Sequence, residues 1–245
     1  MSWYEYESKA DIQARISKEI EKRRAKGEPF ENINTEVKRG NPSTTFWGKA
    51  WNETVESYMD FETRLPRGRA YLRAGNVYDL EINEGEIFAY VTGSSIYEVV
   101  ILINSLPKQR WEALKEKVAG KVTNLVDLLS GKLGPGVLSA ITDQDEGLFP
   151  EPKKIRFDCN CPDYATLCKH AAAVLYAVGV KLDQNPELFF KLRKVDHREL
   201  IIAAGKAAAG AGDLTTADES AEVLKGEDLS ELFGIEIAEP EAAFG

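Results

Sequence analysis

Apolar residues recur along this chain first every fourth position, then every second, then every third or fourth again, and these shifts of period divide it into elements. Ser8 to Asp11 has the form of a capping box, and Ile12, Ile16 and Ile20 follow at four-residue spacing until Gly27, which predicts an amphipathic helix. Pro29, three asparagines and Gly40-Asn-Pro-Ser mark residues 28–43 as loop. Trp47, Trp51, Val55 and Tyr58 predict a second helix over about 45–61, whose aromatic stripe reads as core before it reads as a base-stacking platform. From Val77 to Ile103 the period drops to two, with turns at Glu84-Gly85 and Gly93-Ser-Ser, the pattern of a three-stranded antiparallel meander. Pro107 then opens a helix with Trp111, Leu114 and Val118 on one face, Gly120 ends it, and another helix is expected over 124–129. The glycines of 131–136 read as a flexible loop; no Gly-Lys-Ser/Thr follows, so it is no phosphate loop. Lys153 to Phe157 reads as a strand. The run after His170 is apolar nearly all round as far as Gly179, which predicts a buried helix. Leu188, Phe189 and Leu192 fit a helix packed back on it, and Asp196 to Glu199 has the form of a further capping box.

These elements predict an α+β fold: helices around a small three-stranded antiparallel sheet, a strand–turn–helix unit near residue 160, and a helical C-terminal part. The expected segments are 1–43 (helix and linker), 44–150 (α+β domain), 151–204 (finger and following helices) and 205–245 (acidic, largely disordered tail). The net charge of −9 refines this picture, because residues 205–245 hold ten acidic and two basic side chains. That leaves 29 basic against 30 acidic side chains in the first 204 residues, a nearly neutral body that can still carry a basic face. Two apolar islands in the tail, Val223-Leu224 and Leu229 to Ile237, could dock on a partner. No apolar run approaches membrane-spanning length and the first residues lack signal-peptide character, so a cytoplasmic protein is expected.

All three cysteines, Cys159, Cys161 and Cys168, fall within ten residues, followed by His170. Three thiols and an imidazole make a tetrahedral zinc set that fills all four coordination positions, leaving none for water or substrate. One structural Zn²⁺ is therefore expected, with the finger helix directing its N-terminal dipole at a centre of formal charge −1. A redox role for Cys159 and Cys161 would leave Cys168 and His170 without a task. His197 has no cysteine left to pair with and reads as a plain helix-start residue. No nucleophile–base pair, phosphate loop or distinctive carboxylate pair is present, so no enzyme is expected.

The pattern Cys-x-Cys-x₆-Cys-x-His, with an Ala-rich apolar helix directly after it, resembles the SWIM zinc finger at all four ligand positions. The flanks, Phe46 to Trp51, Arg67 to Gly75, Gly147 to Pro150 and Asn185 to Arg193, are similar to microbial SWIM-finger proteins, so the resemblance spans roughly residues 44–202. It implies a DNA-binding or protein-binding module and a protein partner of the Swi/Snf helicase type. The cations that could meet phosphates are Arg67, Arg69 and Arg73, from a run of four arginines in ten residues that begins at Arg64, and Lys153, Lys154, Arg156 and Lys169 around the finger. The arginines could equally pair with Glu62, Asp79 and Glu81, and the lysines could screen the thiolates. The basic end of the first helix (Arg15, Lys18, Lys22, Arg23, Arg24, Lys26) reads as a solvated helix end before it reads as a phosphate contact. Two functions follow: an accessory nucleic-acid-binding subunit, DNA first, or a protein-interaction adaptor without nucleic-acid contact.

Overall fold

Four strands, one more than the meander, form the sheet of the computed structural model, which describes residues 7–58, 64–122, 124–143 and 145–203. Strands β1 (Val77–Asn83), β2 (Glu86–Thr92), β3 (Ile96–Ile103) and β4 (Ile155–Cys159) are antiparallel neighbours in that order. The fourth strand is the one that feeds the cysteines, and its sequence distance from the meander hid the pairing. It lies against β3 with Ile155 opposite Ile103 and Cys159 opposite Val99, so the sheet delivers the first ligand.

Among the described residues eight α-helices accompany the sheet: α1 (Lys9–Ala25), α2 (Phe46–Tyr58), α3 (Arg64–Arg73), α4 (Lys108–Val118), α5 (Leu125–Ser130), α6 (Pro135–Thr142), α7 (Lys169–Gln184) and α8 (Glu187–Arg193), and residues 198–203 are helical as well. The capping box at Ser8 and Asp11 forms as the sequence predicts. The one expected at Asp196 and Glu199 does not, because Lys115 and the Trp111 indole take the Glu199 carboxylate. Two helices have no counterpart in the sequence pattern. Pro66 and Gly68 broke the apparent period of α3, and α6 begins at Pro135 inside the glycine-rich stretch expected to be loop.

Helix α7 lies in the centre, buried from His170 to Val180 and again at Leu182, as an all-apolar helix must. One side meets the sheet and the other meets α2 and α3. The helices approach closely enough that a Cβ on Gly68 would fall 2.6 Å from the Ala172 Cβ, and one on Gly179 2.4 Å from Asn52 Oδ1. Trp47 and Trp51 are fully buried and donate to the carbonyls of Leu128 and Leu175, so the aromatic stripe of α2 is core. The Asp183 carboxylate of α7 accepts from the backbone and hydroxyl groups of Thr44 and Thr45, capping the start of α2.

A bulge at Asp79 (φ 46°) interrupts β1, so Val77, Leu80 and Ile82 all face the core while Tyr78 turns to the opposite face. There Phe30, Ile16 and Ile20 pack with Tyr78, Tyr90 and Ile96, seating α1 on the sheet. The boundary set at residue 150 falls inside a continuous core, which residues on both sides of it share. The expected end of the second helix beyond Tyr58, Glu62 and the acidic tail lie outside the described residues. No helix among the described residues is long and apolar enough to cross a membrane.

Candidate metal centre

The end of β4 supplies Cys159 and, after one residue, Cys161. Asn160 between them continues the sheet through its own backbone and side chain: its N–H donates to Glu98 O at 3.4 Å and its Oδ1 accepts from Glu98 N at 3.0 Å. Cys168 is the N-cap residue of α7 and His170 lies in that helix's first turn. The three Sγ atoms and one imidazole nitrogen lie within 4.8 Å of one another. Zn–S bonds of about 2.3 Å and a Zn–N bond of about 2.0 Å set ligand separations of roughly 3.5–3.8 Å in a tetrahedron, and Cys159 Sγ to His170 Nδ1 is already 3.9 Å. The donor set and its spacing fit one zinc ion.

The thiols also need a cation. The Cys168 thiol is drawn down because the Cys159 thiol hydrogen-bonds to it, with further help from His170 and the Ala171 N–H. Cys159 is pushed up by that same bond and by burial. Cys168 Sγ accepts from Ala171 N at 3.3 Å at the positive end of α7, a setting that favours its thiolate. Three thiolates this close are tolerable only with a divalent ion between them.

Around His170 the fit is tight. Tyr97 stacks on the imidazole at 4.2 Å between ring centres and 24° between planes, and Tyr71 meets it edge-on at 5.5 Å. Tyr97 lies two residues before Val99 on β3 and therefore on the face that carries Cys159. The ring is 2% exposed; Nε2 forms no hydrogen bond among the described residues and turns toward Gly93, where a Cβ would come within 3.3 Å. With Nε2 turned away, Nδ1 is the atom left for metal. Sequence reasoning found the four ligands but missed this clamp, since Tyr71 lay in a stretch not recognised as helical and the face of Tyr97 depends on a long-range strand register.

The cations singled out in the sequence scatter. Arg64 holds Asp163 of the finger loop through two bonds of 2.6 and 3.2 Å. Arg69 pairs with Glu56 and donates to the Tyr176 hydroxyl, while Arg73 donates to the carbonyls of Val37 and Gly40. Both bind the protein to itself; among the described residues neither forms an ion pair with Asp79 or Glu81, two of the carboxylates weighed from sequence. Arg67 is exposed and forms no ion pair among the described residues. Lys169 is half-buried, its Nζ 5.6 Å above the Tyr71 ring. Lys153, Lys154 and Arg156 are exposed, but Lys153 and Lys154 lie in the 3-10 turn (Pro152–Lys154) that precedes β4, at the opposite end of that strand from Cys159, rather than around the thiols. On α1, Arg15 and Arg23 are held by acidic side chains and Arg24 by the Phe30 carbonyl, in keeping with a solvated helix end.

The SWIM zinc finger family model matches residues 158–179, which contain all four ligands and the first two thirds of α7. The chain is 31% identical over 191 residues to Rv2102 of Mycobacterium tuberculosis, a protein described as uncharacterized, with 76% of this chain and 69% of that one covered. No solved structure matches.

Proposed function

The chain belongs to the SWIM zinc-finger family, with the mycobacterial protein as a relative, and we propose that it is a non-enzymatic, intracellular nucleic-acid-binding protein, DNA first, serving as an accessory subunit of a larger nucleic-acid-processing complex. The zinc is structural, since its four positions are filled by protein. The observation that carries the nucleic-acid reading is the placement of Arg67. It lies on α3 between Arg64, which grips the finger loop, and Tyr71, which touches His170 and Lys169, and it alone of the four arginines is left exposed. A cation in that position, on the helix whose Tyr71 lies beneath Lys169, suits a phosphate. Arg156, on the same strand as Cys159, adds a further contact along β4. A helicase partner of the Swi/Snf type rests on the resemblance alone.

The adaptor reading keeps one specific support: Arg69 and Arg73 are engaged inside the protein, which thins the basic surface. Salt decides between the two. Binding to a short duplex and to a single strand, titrated from low to moderate salt on zinc-loaded protein, should weaken with a slope of several charges. Arg67→Ala should reduce that slope by about 0.7–0.9. Absence of binding at low salt would reject the nucleic-acid reading in favour of the adaptor.

A further inference from the structure

Tyr164 is the most exposed large apolar side chain among the described residues, at 102% of its reference accessible area. Its backbone is well tethered. The loop that carries it runs from Cys161 to Cys168, both zinc ligands, and Leu167 is fully buried. One residue before Tyr164, Asp163 is gripped by Arg64 at 2.6 and 3.2 Å, and its Oδ1 also accepts from Ala165 N at 3.2 Å. The ring therefore stands in solvent on a fixed base, both faces bare, and ordering it on a ligand costs little beyond two side-chain torsions. The acidic residue beside it is already neutralised by Arg64. Among the described residues, the charges without an ion pair that follow along α3 and the start of α7 are Arg67, one turn beyond Arg64, and Lys169 against Tyr71.

We propose that Tyr164 is a stacking platform for an unpaired base, and that the zinc face accordingly takes single-stranded nucleic acid, with the adjacent phosphates on Arg67 and Lys169. This rests on the nucleic-acid reading above and adds the strand state and the residue that selects it. A bare ring beside cations fits that ligand because every base has a stacking face, whereas in a duplex those faces are hidden within the stack. A protein partner anchored on Tyr164 would instead call for an apolar surround, and Pro162, Thr166 and the charged groups named here do not supply one.

The test uses the full chain loaded with zinc and fluorescently labelled oligo-dT, oligo-U and a mixed-sequence duplex of equal length. Wild-type protein should bind a single strand more tightly than the duplex, the dT and U arms reporting which sugar it prefers. Tyr164→Ala should weaken single-strand binding roughly 5- to 100-fold and Tyr164→Phe should restore most of it, with zinc content unchanged in both. Single-strand binding by wild type that Tyr164→Ala leaves intact would overturn the stacking role while the nucleic-acid reading stands, and so would a preference for duplex. If neither strand form binds, both fail together, and retention of a protein partner that Tyr164→Ala releases would assign the ring to that partner.

Discussion

At the residue scale the metal centre is held by more than its ligands. His170 sits between Tyr97 and Tyr71, with Gly93 leaving room for its outer edge. Packing that fixes a ligand's orientation is commonly worth about 10–100-fold in metal affinity. Tyr97→Ala should therefore lower zinc affinity by about that factor in chelator competition, and Tyr97→Phe, which keeps the stacked ring, should stay close to wild type. Equal losses in the two variants would mean that the hydroxyl bonded to Ser94 matters more than the ring. The arginines divide by role in the same way. Arg69, tied to Glu56 and the Tyr176 hydroxyl, joins α3, α2 and α7. Arg69→Ala should cost about 1–3 kcal/mol of stability by leaving partly buried polar groups unpaired, and should leave any nucleic-acid affinity of the folded, zinc-loaded protein unchanged. Arg67→Ala should do the reverse.

At the element scale the crossing of α3 over α7 depends on Gly68, which lets Ala172 and Ala173 approach the neighbouring helix backbone. Gly68→Ala would put a methyl 2.6 Å from the Ala172 Cβ. A loss of about 1–3 kcal/mol in denaturant unfolding is expected, despite alanine's better helix propensity; a neutral or stabilised variant would show that the helices separate freely. Helical residues 198–203 are fastened to α4 by Glu199, whose carboxyl is held below its usual range chiefly by Lys115, with Trp111 assisting. A depressed folded value stabilises the fold above the unfolded value of about 4.3 and loses that contribution as pH falls through the folded one. The stability gap between wild type and Glu199→Gln should thus be about 0.5–1 kcal/mol at neutral pH and close under acid conditions. What the sequence could disclose follows the range of the interaction. Alternation in β2 and β3, the period of α4 and the all-apolar α7 are local patterns and were readable. The β1 bulge, the β3–β4 pairing and α3 depend on partners far along the chain, and nothing local announced them. The same division holds at the site: the ligands share a short motif, whereas Tyr71 comes from α3 and Gly93 and Tyr97 from the β2–β3 hairpin, both far from the motif in sequence.

At the scale of the whole molecule, the metal centre joins the last strand of the sheet to the first turn of the central helix. Cys159 opposes Val99 in the sheet, and Cys168 caps the helix against which α2, α3 and the sheet all pack. Loss of zinc should consequently loosen the shared core and not the finger loop alone, because metal binding and folding of the ligand-bearing elements form one equilibrium. The most direct test of this account is the zinc content of purified wild-type and Cys168→Ser protein, measured per chain by elemental analysis. One equivalent in the wild type and close to none in the variant is the predicted result. A Cys168→Ser protein that retains a full equivalent of zinc would contradict it.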